Sequence, residues 1–176
     1  LPPAPTEEMR PGLGNILLAD DFNDSAPWNT SQTASGSALL GANELTIAIP
    51  EEKSFIYSIR QDPILKDFYL EITVRPAFCQ GMDEYGLLIR YTSPSDYYRL
   101  SASCDGQVRL DRISGGQASS PQPWMLSGAL PIGAPSRSRL GIWASGRELR
   151  FFVNDEFQFK INDPMHSEGQ IGVFAR

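Results

Sequence analysis

The chain has 176 residues, 41% of them hydrophobic and 20% charged, a composition that supports one folded domain with a full core and excludes wholesale disorder. Its net charge of -6 excludes nucleic acid and anionic membrane surfaces as partners, because phosphate recognition needs a basic footprint. No apolar run reaches the length of a membrane span, so direct membrane insertion of this chain is not expected.

The first twelve residues, LPPAPTEEMRPG, hold four of the fourteen prolines, and proline stops both helix and sheet from propagating. Residues 1–14 therefore read as a Pro-rich linker or tail ahead of a single domain over 15–176. It is either a disordered end or a spacer behind a removed signal peptide, lipid anchor or membrane helix. The second alternative makes the protein exported: extracellular, cell-surface or periplasmic.

ILLADDFND (Ile16–Asp24) reads as a short strand ending in an acidic turn, and Trp28 follows in a polar loop too rich in Ser, Thr, Asn and Gly for a helix. ELTIAI (Glu44–Ile49) and SFIYSI (Ser54–Ile59) read as a hairpin around PEEK. FYLEITVRP (Phe68–Pro76) is the most regular strand. Phe68, Leu70, Ile72 and Val74 point one way; Tyr69, Glu71, Thr73 and Arg75 point the other.

The stretch EYGLLIRYTSPSDYYRLSASCDGQVRLDRI (Glu84–Ile113) predicts three consecutive antiparallel strands. Alternation places Leu87, Ile89, Tyr91, Tyr98, Leu100, Ala102, Val108 and Leu110 on a core face. The opposite face collects Arg90, Tyr97, Arg99, Ser101, Ser103, Arg109 and Asp111, with Arg75 joining from the preceding strand. Asp105-Gly106 predicts a type I′ turn with two positive φ values. Ser114–Pro135, Gly/Pro/Ser-rich around Trp124, reads as a long loop that does or covers something. Four strands close the chain: Arg139–Ser145, Glu148–Asn154, Phe157–Asn162 and Gln170–Arg176. About eleven strands without a helix imply an all-β, two-sheet antiparallel β-sandwich.

Cys79 and Cys104 are either a disulfide or two buried thiols. In a three-strand meander they lie at the same end but roughly 9 to 10 Å apart, too far to bond unless the Cys79–Asp83 loop folds back over the middle strand. A disulfide is the expected state in an exported chain.

The acidic turn Asp20-Asp21-Phe22 before Trp28, together with FYLEITVR, YGLLIRY, DYYRLSASCDG, RLGIWASGRELRFFVNDEFQFKI and EGQIGVFAR, resembles the concanavalin A-like lectin and glucanase superfamily. The likeness is to its laminin-G-like and 3-keto-disaccharide hydrolase-like jelly-roll branches. The resemblance implies a jelly roll, in a fold that hosts lectins, glycosidases, adhesive modules and sensor domains. Such domains usually place Asn-Gly where this chain has Asn154-Asp155, and many add a strand after the position of Arg176; that strand is either left out here or supplied from elsewhere, which leaves the sheet edge there open. The resemblance also implies that a structural calcium is possible on Asp20, Asp21 and Asp24, with Asp163 as a further donor. Aspartates are equally what turns prefer, and no other cofactor is expected.

Glucanases of the superfamily carry two glutamates and an aspartate alternating along one strand, and no strand here does. His166, the single histidine, sits in the turn-like NDPMHSEG and reads as an exposed loop residue; no nucleophile elbow or phosphate loop occurs. What remains is the face of Arg75, Arg90, Tyr97, Arg99, Arg109 and Asp111. It is either a lattice of ion pairs on a solvated sheet or a shallow groove whose guanidinium forks and tyrosine ring hold the hydroxyls or carboxylates of a glycan. Trp143, Phe152, Phe174 and Tyr57 fall on the outward parity of the other sheet, where they stack sugars or are covered by the Ser114–Pro135 loop or the N-terminal segment. The expected function is a non-catalytic ligand-binding module with a glycan or polysaccharide as first candidate. The alternatives are a sugar-active hydrolase, or a structural ectodomain docking to other domains of a larger protein.

Overall fold

A computed structural model describes Pro2 and residues 8–176, which form thirteen strands in three antiparallel sheets and no helix. A small sheet joins β1 (Ser31–Thr33), β2 (Gly36–Gly41) and β3 (Glu44–Ala48). The four-stranded sheet runs β12 (Glu156–Asn162), β11 (Glu148–Val153), β10 (Ser138–Ser145) and β5 (Phe68–Val74). The six-stranded sheet runs β4 (Ile56–Ile59), β13 (Gln170–Ala175), β6 (Glu84–Ser93), β7 (Asp96–Ser103), β8 (Gln107–Ser114) and β9 (Gln117–Leu126). The two large sheets stack face to face as a β-sandwich.

Alternation builds the core between them. Leu87, Ile89, Tyr98, Leu100, Ala102, Val108 and Leu110 project from the six-stranded sheet onto Leu140, Ile142, Leu149, Phe151 and Val153. Phe68, Leu70, Ile72 and Val74 join that cluster as expected, and Trp28 with Phe22 closes one side. Burying each such side chain contributes about 1.5–3 kcal/mol.

Several expectations are overturned. Ile16–Asp24 forms no strand, and Ile16 and Leu17 are 84% and 98% exposed. The polar loop after Trp28 instead holds β1 and β2, and β3 pairs with β2 rather than with β4. Its turn is Ala42-Asn43, where both residues take positive φ. Ser114–Pro135 contains β9, the edge strand of the large sheet, whose Pro121 and Pro123 cannot donate to a neighbour and whose register slips twice. β13 is not an edge, since it pairs with both β4 and β6. Asp105-Gly106 lies in a three-residue turn where only Gly106 has positive φ, at 89°.

Candidate functional site

The outer face of the six-stranded sheet carries the site. One row across it is Tyr57, Phe174, Gly86, Ser101 and Arg109; the next is Ile59, Gly172, Leu88, Arg99 and Asp111. Gly86 has no room for a side chain, because a Cβ there would meet the Leu100 carbonyl oxygen at 1.9 Å and the Phe174 ring at 3.3 Å. Small residues at the centre and rings or guanidiniums on both flanks make a trough.

Asp111 is the hub. Its carboxylate accepts from Arg99 Nη2 at 2.8 Å and Nε at 3.3 Å, and from Ser120 Oγ at 2.6 Å. Arg109 Nε lies 3.0 Å from the same carboxylate in an ion pair without hydrogen-bond alignment. Arg109 also reaches both Glu84 oxygens at 3.3 Å and stacks on the Trp124 ring, 4.3 Å from its centroid. Arg99 lies over Phe55 and Phe174 at 5.7 and 6.0 Å. Ser101 Oγ is buried beneath this network with no partner. At the far end Tyr57, Tyr91 and Tyr97 form an aromatic row, with centroids 6.1 and 5.5 Å apart. Burial pushes the hydroxyls of Tyr91 and Tyr97 above the usual tyrosine value, so both stay protonated hydrogen-bonding groups.

Of the six residues expected on one face, Tyr97, Arg99, Arg109 and Asp111 are brought together. Arg90 and Arg75 are not. A bulge makes residues 90–92 face Tyr97 alone, and Arg90 takes φ 49°. The parity after it inverts: Tyr91 turns outward and the Arg90 side chain becomes fully buried. Its guanidinium donates to the carbonyls of His166 and Lys66, both at 2.9 Å, and burial lowers its pKa. Arg75 follows β5, which belongs to the other sheet, and pairs there with Glu44. The sequence reading missed Glu84, Trp124 and Ser120. Glu84 has the parity of Gly86 and was findable, whereas Trp124 and Ser120 lie in the strand that its prolines disguise.

His166 is buried rather than exposed. Its Nε2 donates to the Ile113 carbonyl at 2.7 Å, and its ring meets Tyr98 edge-on. Asp163 beside it is buried, which alone would raise its pKa. The Tyr98 hydroxyl at 2.7 Å, the Met165 amide and Arg112 at 2.6 Å outweigh that and hold it below the ordinary value.

The acidic turn does not fit calcium. Asp20 spends its oxygens on Arg60 Nε, Trp28 Nε1 and the Phe22 amide, so a guanidinium already supplies its cation. Asp21 accepts from Asn23, and among the described residues no group of three His, Cys, Asp or Glu is placed to hold a metal ion.

Cys79 and Cys104 form a disulfide with Cα atoms 5.9 Å apart. β5 and β6 lie in different sheets, so the intervening loop crosses between layers and folds back, its Asp83 carbonyl accepting from the Cys104 amide.

The outer face of the four-stranded sheet is different. Tyr69, Trp143, Arg150 and Phe152 are covered by Met9–Pro11, part of the segment read as a linker; residues 1 and 3–7 of it lie outside the described residues. Arg10 lies over the rings of Phe152 and Tyr69, at 5.1 and 5.4 Å, and donates to the Tyr69 hydroxyl. Trp143 Nε1 donates to the Pro11 carbonyl and Arg150 to that of Met9. Phe174 and Tyr57, expected here, belong to the six-stranded sheet.

No protein-family model and no curated protein matches the chain. Solved structures do. Carbohydrate binding module CBM66 from Bacillus subtilis is 17% identical with a TM-score of 0.63, over 85% of this chain and 87% of that one. A Bacillus subtilis protein of unknown function with a galectin-like fold is 13% identical with a TM-score of 0.67, over 92% and 90%. A Bacillus licheniformis β-glucanase is 10% identical with a TM-score of 0.57, over 89% and 82%. At these identities the likeness is one of fold.

Proposed function

We propose that the domain is a non-catalytic module that binds glycan on the outer face of the six-stranded sheet. The observation that carries this reading is the arrangement itself: guanidinium forks held flat by Asp111, Glu84 and aromatic rings, with the edges of Arg99 and Arg109 still reaching the surface. Pre-positioned arginines bind hydroxyls and carboxylates with little loss of side-chain freedom, and rings beside them offer stacking faces. The similarity of fold to a carbohydrate-binding module supports it.

The two carboxylates of the face, Asp111 and Glu84, are both spent on arginines. Neither stands free as a general acid or nucleophile, which favours binding over the hydrolase alternative. The disulfide supports an exported location. A glycan array is the test. Retention of defined glycans, lost in Arg99→Ala and Trp124→Ala, is the expected result; no retained glycan at high protein concentration would overturn it. Turnover of a disaccharide would replace binding with catalysis.

A further inference from the structure

At one end the trough opens into a groove of about 410 Å³ lined by Lys53, Met82, Asp83, Glu84, Arg109 and Arg176. Its carboxylates are already committed. Glu84 takes Arg109 on both oxygens, and Asp83 accepts the Gln80 amide at 3.0 Å. Of its three cations, Arg109 is paired with Glu84 and Asp111, but the other two have no such close partner. Arg176 approaches Glu84 no closer than 3.9 Å with its side chain 47% exposed, and Lys53 makes no ion pair among the described residues. Two cations without a close carboxylate partner, Lys53 and Arg176, thus stand beside carboxylates already engaged, in a chain whose net charge is -6.

The backbone at Arg176 and along the Met82–Asp83 wall is held firmly. The Arg176 and Glu84 main chains exchange hydrogen bonds at 2.8 and 2.9 Å, and the Cys79–Cys104 disulfide ties down the loop that carries Met82 and Asp83. Two separated cations favour an anion whose oxygens reach both, since charge-assisted hydrogen bonds are the strong ones.

We infer that this groove is a subsite for an anionic substituent, a carboxylate or a sulfate ester, on one sugar of a glycan lying along the trough. Lys53 and Arg176 are its recognising donors, and Met82 is its apolar wall. This rests on the glycan-binding reading above and adds the ligand's charge. Arg99, farther along the sheet, would contact the sugar backbone whatever its charge, so the two sets of residues separate the two claims.

The experiment compares the full chain with Lys53→Ala, Arg176→Ala and Arg99→Ala by calorimetric titration against galacturonan, carrageenan and neutral galactan, beside an array of other neutral and acidic glycans. Thermal melts confirm that the exposed Lys53 and Arg176 positions leave the fold intact. The expected result is binding of an acidic glycan that weakens with added salt and falls about tenfold in Lys53→Ala and again in Arg176→Ala. Preference for galacturonan or carrageenan identifies the carboxylate or the sulfate. Binding of neutral glycans alone, lost in Arg99→Ala but untouched in the other two, would overturn the anionic subsite and leave the glycan module standing. No binding anywhere on the array would overturn both.

Discussion

On the four-stranded sheet, arginines and rings meet across a closed contact: Arg10 over Phe152 and Tyr69, Arg150 over Trp143, with Met9 and Pro11 lying across the top. The six-stranded sheet uses the same chemistry, Arg109 on Trp124 and Arg99 between Phe55 and Phe174, but its own carboxylates hold the guanidiniums from within the sheet. The difference teaches that stacked arginine is not in itself a mark of function. On one face the stack ends in the chain's own backbone, so every donor is spent at home. On the other it ends on the sheet's own carboxylates, and among the described residues cations without such a close partner remain only at the groove beside it, at Lys53 and Arg176.

The largest expected effect lies on the open face. Asp111→Ala strands Arg99 in a largely buried setting and leaves Arg109 with Glu84 alone, and breaking such a pair costs about 3–5 kcal/mol, to be read as a lowered midpoint in chemical denaturation. A loss no greater than that of a surface substitution would mean that the trough is not held by its ion pairs, and the contrast between the faces would collapse. Removing the disulfide with Cys79→Ser and Cys104→Ser, which opens a loop of sequence separation 25, should cost about 3 kcal/mol and weaken glycan binding while leaving the covered face intact. Arg10→Ala is expected to cost only about 1 kcal/mol, the scale of a cation–π contact. It should raise binding of a hydrophobic dye at the uncovered rings yet leave glycan affinity unchanged; reduced affinity would mean that the two faces are coupled. The smallest effect is acid sensitivity shared by neither face. Asp20 and Asp163 are held below the ordinary aspartate value of 3.8, so their stabilisation is complete above that value and is lost as pH falls through the lowered native one. Asp163→Asn should flatten the acid limb of a stability-against-pH profile; an unchanged limb would place the acid-labile groups elsewhere.

Side-chain alternation made the sandwich legible, because strands covered on one face must alternate. Phe68–Val74 and Leu87–Leu110 declare their core faces without help from tertiary contacts. What alternation does not carry is which strand neighbours which. The strands of Arg75 and Arg90 look adjacent along the chain, yet the crossing between Pro76 and Asp83 puts them in different sheets. Nor does it survive the two residues added at the bulge, which is why Arg90 and Tyr91 exchange places. β9 was hidden by its prolines, and β1 and β2 by a composition that turns share. The disulfide was legible only as a conditional, requiring a fold-back that the loop then makes.

The bulge at Arg90 resets the reading frame of its strand. Leu87 and Ile89 serve the interior and Tyr91 the exterior, though all three share one odd-numbered phase. Opposite it, Gly169 is pressed so close that a Cβ would lie 2.4 Å from the Arg90 carbonyl carbon. The two positions therefore form a single unit of inheritance. A redesign that straightens the bulge while keeping every residue would swing Tyr91 into the hydrophobic interior, and a graft of the β6–β7 hairpin onto another jelly roll must carry the glycine from the far end of the chain with it.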